Sequence, residues 1–282
     1  MNIGLTGVSG RFGTVVTRLL LAEGHRVRGI DRAEPAQPLP DGVAFAQDDL
    51  SDRARLSAQL RGCDALIHLA AIPQPRSDPP EVVFGNNVLT SYNALLAAVD
   101  CGIRKICLAS SINAIGGAYS KDARYDYFPV DEQHPTYNED AYSLSKWVME
   151  AQADSIARAH PGLTISSLRI HGLGKRVERS GPDDPAIPDD RRHAVRNHLW
   201  AYVDVQSAAR ATLLALHADF TGHEVFFIVA PRTIFGASTA SADLAARHYP
   251  GTPVHKSLPG NAGFYDCSKA DRLLGWRHED SE

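Results

Sequence analysis

The stretch Thr6-Gly7-Val8-Ser9-Gly10-Arg11-Phe12-Gly13 decides how this chain folds. Three glycines recur three residues apart, directly after a strand-like run at 3–6 and at the opening of a helical pattern over 10–23. Glycine at a strand-to-helix turn lets the chain bend tightly and lets a pyrophosphate approach the backbone. There the helix start offers free N–H groups and the positive end of its dipole. With 22 glycines in 282 residues such a string means little alone. The next strand, 26–30, gives it weight by leading into Asp31, because an acid about 20 positions beyond the glycines is where a dinucleotide ribose needs an acceptor. This order predicts a cofactor cleft formed by Gly7, Ser9, Gly10, Arg11, Phe12, Gly13, Asp31 and Arg32. Asp31 repels a 2′-phosphate and Arg32 attracts one, so NAD is the expected cofactor, with use of NADP left open.

Outward from this stretch, apolar runs at 43–46, 65–69 and 105–108 alternate with helical patterns, the signature of a parallel sheet covered by helices. Pro79-Pro80 opens a long helix reaching about Asp100, and 112–136 form a long connection rich in Gly, Pro and Tyr. A helix over 141–159 and a strand over 164–170 follow, then a polar region to about Asp190. Alternation returns with a helix at 205–217, a strand at 224–229 and a helix at 238–248. The expected fold is α/β: a Rossmann-type, doubly wound parallel sheet with a small C-terminal substrate-binding cap. Residues 1–170 would bind NAD, with a later return around 199–230, and 171–282 would mainly form the cap.

A net charge of −4 with 44% hydrophobic and 22% charged residues shows none of the basic excess of a nucleic-acid binder, so no nucleic-acid partner is expected. Cys63, Cys101, Cys107 and Cys267 lack metal-ligand spacing and read as reduced thiols. The start Met1-Asn2-Ile3-Gly4 has no signal-peptide pattern, and no apolar run approaches the ~20 residues of a membrane span. A cytoplasmic protein without a membrane partner is expected.

Tyr142-Ser143-Leu144-Ser145-Lys146 sets a phenol and an amine one helical turn apart. A free phenol, with a pKa near ~10, is a poor base at neutral pH, but a nearby ammonium and an oxidised nicotinamide favour the phenolate. The same spacing recurs at Tyr265 and Lys269, so spacing alone selects neither pair. Ala109-Ser110-Ser111 breaks the tie, because it sits just past the fifth strand, at the carboxyl edge where open parallel sheets bind ligands. Ser111, Tyr142 and Lys146 are the expected catalytic group, with Ser111 holding the oxygen that Tyr142 deprotonates.

With these motifs the chain resembles the extended short-chain dehydrogenase/reductase family, also called the NAD-dependent epimerase/dehydratase family, over nearly its whole length. Further matches are Asp49-Leu50, His68-Leu69-Ala70-Ala71, Asn87-Val88 through Asn93, Leu168-Arg169, Tyr202-Val203-Asp204-Val205, and Asp266 through Ser268-Lys269 to Leu274-Gly275-Trp276. The resemblance implies Asp49 and Leu50 near the adenine and Leu69, Ala70 and Ala71 along the pyrophosphate and ribose. It also implies Lys146 on the nicotinamide ribose, with Asn87, Ser110, Ile170 and Tyr142 beside the cofactor. It assigns Tyr265 and Lys269 to an end pattern without catalysis. A homodimer pairing the helices around 87–99 and 142–157 is implied as well.

Two departures bear on substrate. Relatives that act on nucleotide sugars carry an Arg-x-Gly-Asp stretch where this chain reads Leu258-Pro259-Gly260-Asn261, and an Asn-centred loop where it reads Arg169-Ile170-His171-Gly172-Leu173-Gly174. The compact length instead resembles the branch of uronate and aldose dehydrogenases, which Ile112-Asn113-Ala114-Ile115-Gly116 fits in part. Ser111, Asn113, Tyr142 and His171 are the expected substrate contacts, with a packed, hydrogen-bonded histidine as the second reading of His171. Lys175, Arg176, Arg179, Arg191, Arg192 and Arg196 read as an anion site or as a solvated loop balanced by Asp183, Asp184, Asp189 and Asp190. Tyr119, Tyr125, Tyr127, Phe128 and Tyr137 either close over substrate or pack their own loop. No His pair has metal-binding spacing with an acidic partner, so no metal is expected.

The leading expectation is an oxidoreductase moving hydride from a small sugar, sugar acid or polyol to NAD. An epimerase or dehydratase that retains its cofactor is the alternative. A non-catalytic NAD sensor ranks last, since it would not need Ser111, Tyr142 and Lys146 together.

Overall fold

The computed structural model describes every residue except Ser77, Arg176 and Glu282. Strands β1 (Asn2–Thr6), β2 (Arg26–Asp31), β3 (Val43–Gln47), β4 (Ala65–His68), β5 (Lys105–Ser111), β6 (Thr164–Ile170) and β7 (Gly222–Ile228) form one sheet in the order β3-β2-β1-β4-β5-β6-β7. Every neighbouring pair is parallel. Helices and the 112–130 connection cover the sheet on both faces, so β4 and β6 are buried at every position, including the polar Thr164, Ser166, Ser167 and Arg169 of β6. The chain moves from β1 toward β3 on one side and from β4 toward β7 on the other. The crevice beyond the carboxyl ends of β1 and β4 is therefore the topological switch point.

Helices α1 (Arg11–Ala22), α2 (Arg53–Leu60), α3 (Pro80–Asp100), α4 (Ala141–Ala159), α5 (Asp189–Asn197), α6 (Val205–His217), α7 (Ser241–His248) and α8 (Ser268–Leu274) complete the chain. One core cluster joins α1, α6 and α8 to the sheet, and a second joins α2, α3 and α4 to its other face. A third, around Phe128, Trp200, Phe235 and Phe264, packs residues of the 112–130 connection against residues between 187 and 265. Leu199 and Trp200 enter that cluster with φ of 57° and 51°, a left-handed conformation costing a bulky residue about 1–3 kcal/mol.

Several boundaries differ from the sequence reading. β5 runs on to Ser111, so Ser110 and Ser111 are its last residues, paired with Arg169 and Ile170 of β6, rather than lying past its end. The reading had neither α2 nor α5; both are short and strongly polar, so their apolar periodicity is faint. Tyr265 lies before α8, which starts at Ser268, so Tyr265 and Lys269 do not share a helical face. Within α3 (21 residues) an 18-residue window has a mean hydropathy of 1.3, enough by length and composition alone to pass for a membrane span, as the core helix of a globular protein also can. Half of it is buried, against α2 and α4 among others.

Candidate functional site

Two connected cavities open at the switch point. The larger, about 550 Å³, is lined by Gly7, Ser9, Gly10, Arg11, Phe12 and Gly13 of the glycine turn, by Asp31 and Arg32, by Asp49 and Leu50, and by Leu69, Ala70 and Ala71. This volume falls within the ~300–1,000 Å³ of small-molecule and cofactor sites. Gly7 has φ +76°, and a Cβ there would lie 2.7 Å from Ala70 N; at Gly13 a Cβ would lie 2.1 Å from Gly7 O. The first and third glycines thus permit close packing, while a Cβ on Gly10 would meet only Gly7 O, at 3.3 Å.

The start of α1 is left open. Carboxylates of Asp52, Asp140 and Asp204 cap α2, α4 and α6, whereas Gly10 offers α1 no side-chain cap. Its first-turn N–H groups are the donors a pyrophosphate requires. Asp31 is held by the backbone N–H groups of Ser9 (3.0 Å) and Ala33 (3.2 Å), fixing its carboxylate at the cleft. Hydrogen bonds from Ser51 hold the Asp49 carboxyl below its ordinary range. These residues fit a dinucleotide: uncapped donors for the phosphates and a fixed acceptor for the ribose.

The second cavity, about 260 Å³, shares Phe12, Leu69, Ala71, Pro73 and Leu173 with the first and reaches Ser111, Tyr142, Lys146, Asn113, His171, His198, Tyr119 and Ile170. The carboxyl end of β5 supplies Ser111, and the first turns of α4 supply Tyr142 and Lys146 on one face. Ser111 Oγ accepts from Asn113 N (3.2 Å) and Nδ2 (3.3 Å), so its own O–H is not used by Asn113 and favours the Tyr142 phenolate. Asn113 Oδ1 accepts from Ala118 N at 3.1 Å. Asn113 therefore positions Ser111 as well as lining the pocket.

Burial pushes the Tyr142 phenol well up, against the lowering expected from Lys146, and the Ser111 hydroxyl offsets this only in part. Lys146 Nζ lies 5.7 Å from the centre of the Tyr142 ring and donates to Ala109 O at 2.7 Å. Its own pKa is lowered to about 8 by burial, with Glu150 opposing. In this state the phenol keeps its proton.

Some expected contacts are elsewhere. Asn87 does not line the cleft: its amide binds Ile72 N (2.8 Å), Ile72 O (3.0 Å) and Ser145 Oγ (3.1 Å), pinning the segment after β4 to α4. Its neighbours Asn86 and Thr90 line the cleft instead. Ser110 touches the second cavity, but its hydroxyl turns to Glu150 Oε1 at 2.6 Å rather than toward a cofactor. Of the aromatic residues, Tyr119 lines the pocket and meets Tyr142 edge-on at 5.9 Å, whereas Tyr125, Tyr127, Phe128 and Tyr137 pack against one another, His134 and Tyr249. Arg192 is tied to Asp189 (2.8 Å), and Arg196 faces Asp122 (3.6 Å). Lys175, Arg179 and Arg191 are likewise absent from the described lining, and Arg176 lies outside the described residues.

Sequence reasoning missed Glu150 and His198, and it gave Thr6 and His68, both within its motifs, no role. Glu150, one turn beyond Lys146, was visible as an i, i+4 acid; His198 carried no local signal. The Thr6–His68 contact (2.8 Å) joins the carboxyl ends of β1 and β4, and burial lowers His68 to about 3, so it is neutral.

A dinucleotide cleft opening onto a Ser-Tyr-Lys pocket, on a doubly wound parallel sheet, defines the short-chain dehydrogenase/reductase class. Within it, the chain belongs to the NAD dependent epimerase/dehydratase family, whose pattern matches residues 3–228, and NAD is its cofactor. The uronate dehydrogenase of Pseudomonas syringae pv. tomato is 28% identical over 79% of this chain and 72% of its own length. Two other relatives are 32% and 31% identical, and the chain spans about half their length, 48% and 46%. In fold, the chain is similar to a short-chain dehydrogenase/reductase superfamily protein from Agrobacterium tumefaciens solved with NAD. That likeness covers 100% of this chain and 93% of that one, with TM-score 0.72 and 22% identity.

Proposed function

We propose that this protein oxidises a hydroxyl of a small free sugar, sugar acid or polyol with NAD. The observation that carries the reading is the convergence of Ser111, Tyr142 and Lys146 on a 260 Å³ pocket continuous with the NAD cleft. Ser111 O–H and Tyr142 hold the reacting oxygen, and Tyr142 takes its proton. Bound NAD would supply the acceptor for the hydride leaving the carbon that bears this oxygen, and its positive charge would favour the phenolate. Lys146 lies one turn from Tyr142 and holds the ribose side of the pocket. In this reading 1–170, with the return to the sheet around 199–230, carry NAD, and the rest of 171–282 mainly caps the substrate.

A free rather than nucleotide-linked substrate is supported at 258–261, where Leu258 is buried and Asn261 Nδ2 donates to Phe235 O at 2.8 Å. Both serve the cap, and neither supplies a cation for a diphosphate. We place the protein in the cytoplasm and propose a homodimer. Val82, Leu89 and Tyr92 on α3 and Leu144 and Trp147 on α4 are large apolar side chains left exposed on adjacent helices, and a second copy would cover them.

The test is NADH formation from NAD with free sugars, sugar acids and polyols, alongside nucleotide sugars analysed for isomerised product. Net NADH from a free substrate supports the dehydrogenase reading. Isomerised nucleotide sugar without net NADH replaces it with the epimerase.

A further inference from the structure

We propose that the pocket selects an uncharged polyhydroxyl substrate, which donates a hydroxyl hydrogen bond to Nδ1 of His171, and discriminates against sugar acids and sugar phosphates. The proposal rests on the oxidoreductase reading and narrows its substrate.

His171 follows the last residue of β6 and forms part of the pocket wall, although only 4% of it is exposed. Its Nε2 meets the carbonyl oxygen of His198 at 3.3 Å. A carbonyl only accepts, so Nε2 carries the proton, and in a neutral ring Nδ1 is left as an acceptor. That atom is buried without a partner of hydrogen-bonding geometry. An orphaned buried acceptor is costly, and a donor arriving with substrate relieves the cost. His198 also lines the pocket and crosses the His171 ring edge-on, 5.0 Å between centres, so it limits how that ring turns. The left-handed pair Leu199 and Trp200 directly after it fixes where the chain delivers His198.

The charge of the pocket points the same way. Among the described lining residues Lys146 is the single Lys, Arg, Asp or Glu, and its ammonium is engaged by Ala109 O. Burial lowers His171 to about 4, partly opposed by the carbonyls of His198 and Gly172, and lowers His198 to about 3. Neither ring supplies a cation at neutral pH. A carboxylate or phosphate here would shed its water without a free side-chain cation in exchange, whereas hydroxyls exchange water for Ser111, Tyr142 and His171.

The experiment compares kcat/KM at pH 8 across series of hexoses and pentoses, each neutral sugar beside its uronate and its terminal phosphate. The neutral member is expected to lead by about tenfold or more in the series that turns over. A lead for the uronate or phosphate overturns the inference and leaves the oxidoreductase reading standing. His171→Phe should raise KM for the neutral sugar about tenfold with NAD affinity unchanged, while His171→Asn, which can place an acceptor near Nδ1, should restore most of it. Equal KM for wild type and the Phe variant also overturns it. Failure of every sugar to yield NADH would defeat the parent reading. Calorimetry of the same pairs on the NADH-loaded protein then decides this one, with neutral binding supporting it and equal or tighter anion binding refuting it.

Discussion

Glu150 accepts from Arg169 at 3.0 Å (Nε) and 2.8 Å (Nη2), and each side chain is 7% exposed. The pair joins α4 to β6 directly behind Ser110, whose hydroxyl also binds Glu150. Removing one partner strands the other charge, so Glu150→Ala should cost about 3–5 kcal/mol in urea unfolding. Replacing both with apolar residues of similar volume should cost less than either single change. A single-variant loss under about 1 kcal/mol would show that water reaches the pair.

Tyr142→Phe removes one oxygen from a packed ring. Turnover should fall about 10²–10⁴-fold while NAD affinity, followed by fluorescence titration, stays within a few-fold. An active Phe variant would eliminate Tyr142 as the base.

Asp31→Asn keeps the size of the side chain and removes its charge. The ratio of NADP to NAD affinity should rise about tenfold or more, since Arg32 then faces a 2′-phosphate unopposed. An unchanged ratio would place the discrimination elsewhere in the cleft.

His68, His171 and His198 are buried and neutral, with pKa values lowered to about 3, 4 and 3. Above pH ~6.5 both folded and unfolded chains hold these rings neutral, so their contribution to stability is fully present. As pH falls from ~6.5 toward 4 the unfolded chain takes up protons that the folded chain refuses, and stability declines by up to about 1.4 kcal/mol per pH unit per ring. Urea midpoints between pH 7 and 5 should fall accordingly, and His198→Asn should flatten the slope. An unchanged slope would mean the ring is protonated in the folded state.

Trp147→Asp and Leu89→Asp place charges on the exposed apolar face of α3 and α4. Sedimentation should show monomers where the parent chain sediments as a dimer. A monomeric parent would remove the proposed interface.

The sheet was legible because buried parallel strands write themselves as short apolar runs, and the cofactor cleft because Gly7, Gly13 and Asp31 perform local, backbone-level tasks. Ser111, Tyr142 and Lys146 could be read from spacing together with position along the sheet. Other features depend on contacts between distant segments. His198 reaches the pocket only through the left-handed turn at Leu199 and Trp200, two residue types that give no warning of it. The family resemblance implied Asn87 as a cofactor contact, whereas the packing of the segment around Ile72 turns its amide away. The polar α5 lacked the apolar stripe by which helices are found.

The bare start of α1 also bears on how long the protein survives. Donors without side-chain partners there let a bound dinucleotide add hydrogen bonds to a helix that is already formed, and mass action then makes the folded fraction rise with its concentration. Protease resistance in a cell should therefore follow the local supply of NAD, so that scarcity thins out the enzyme along with its turnover.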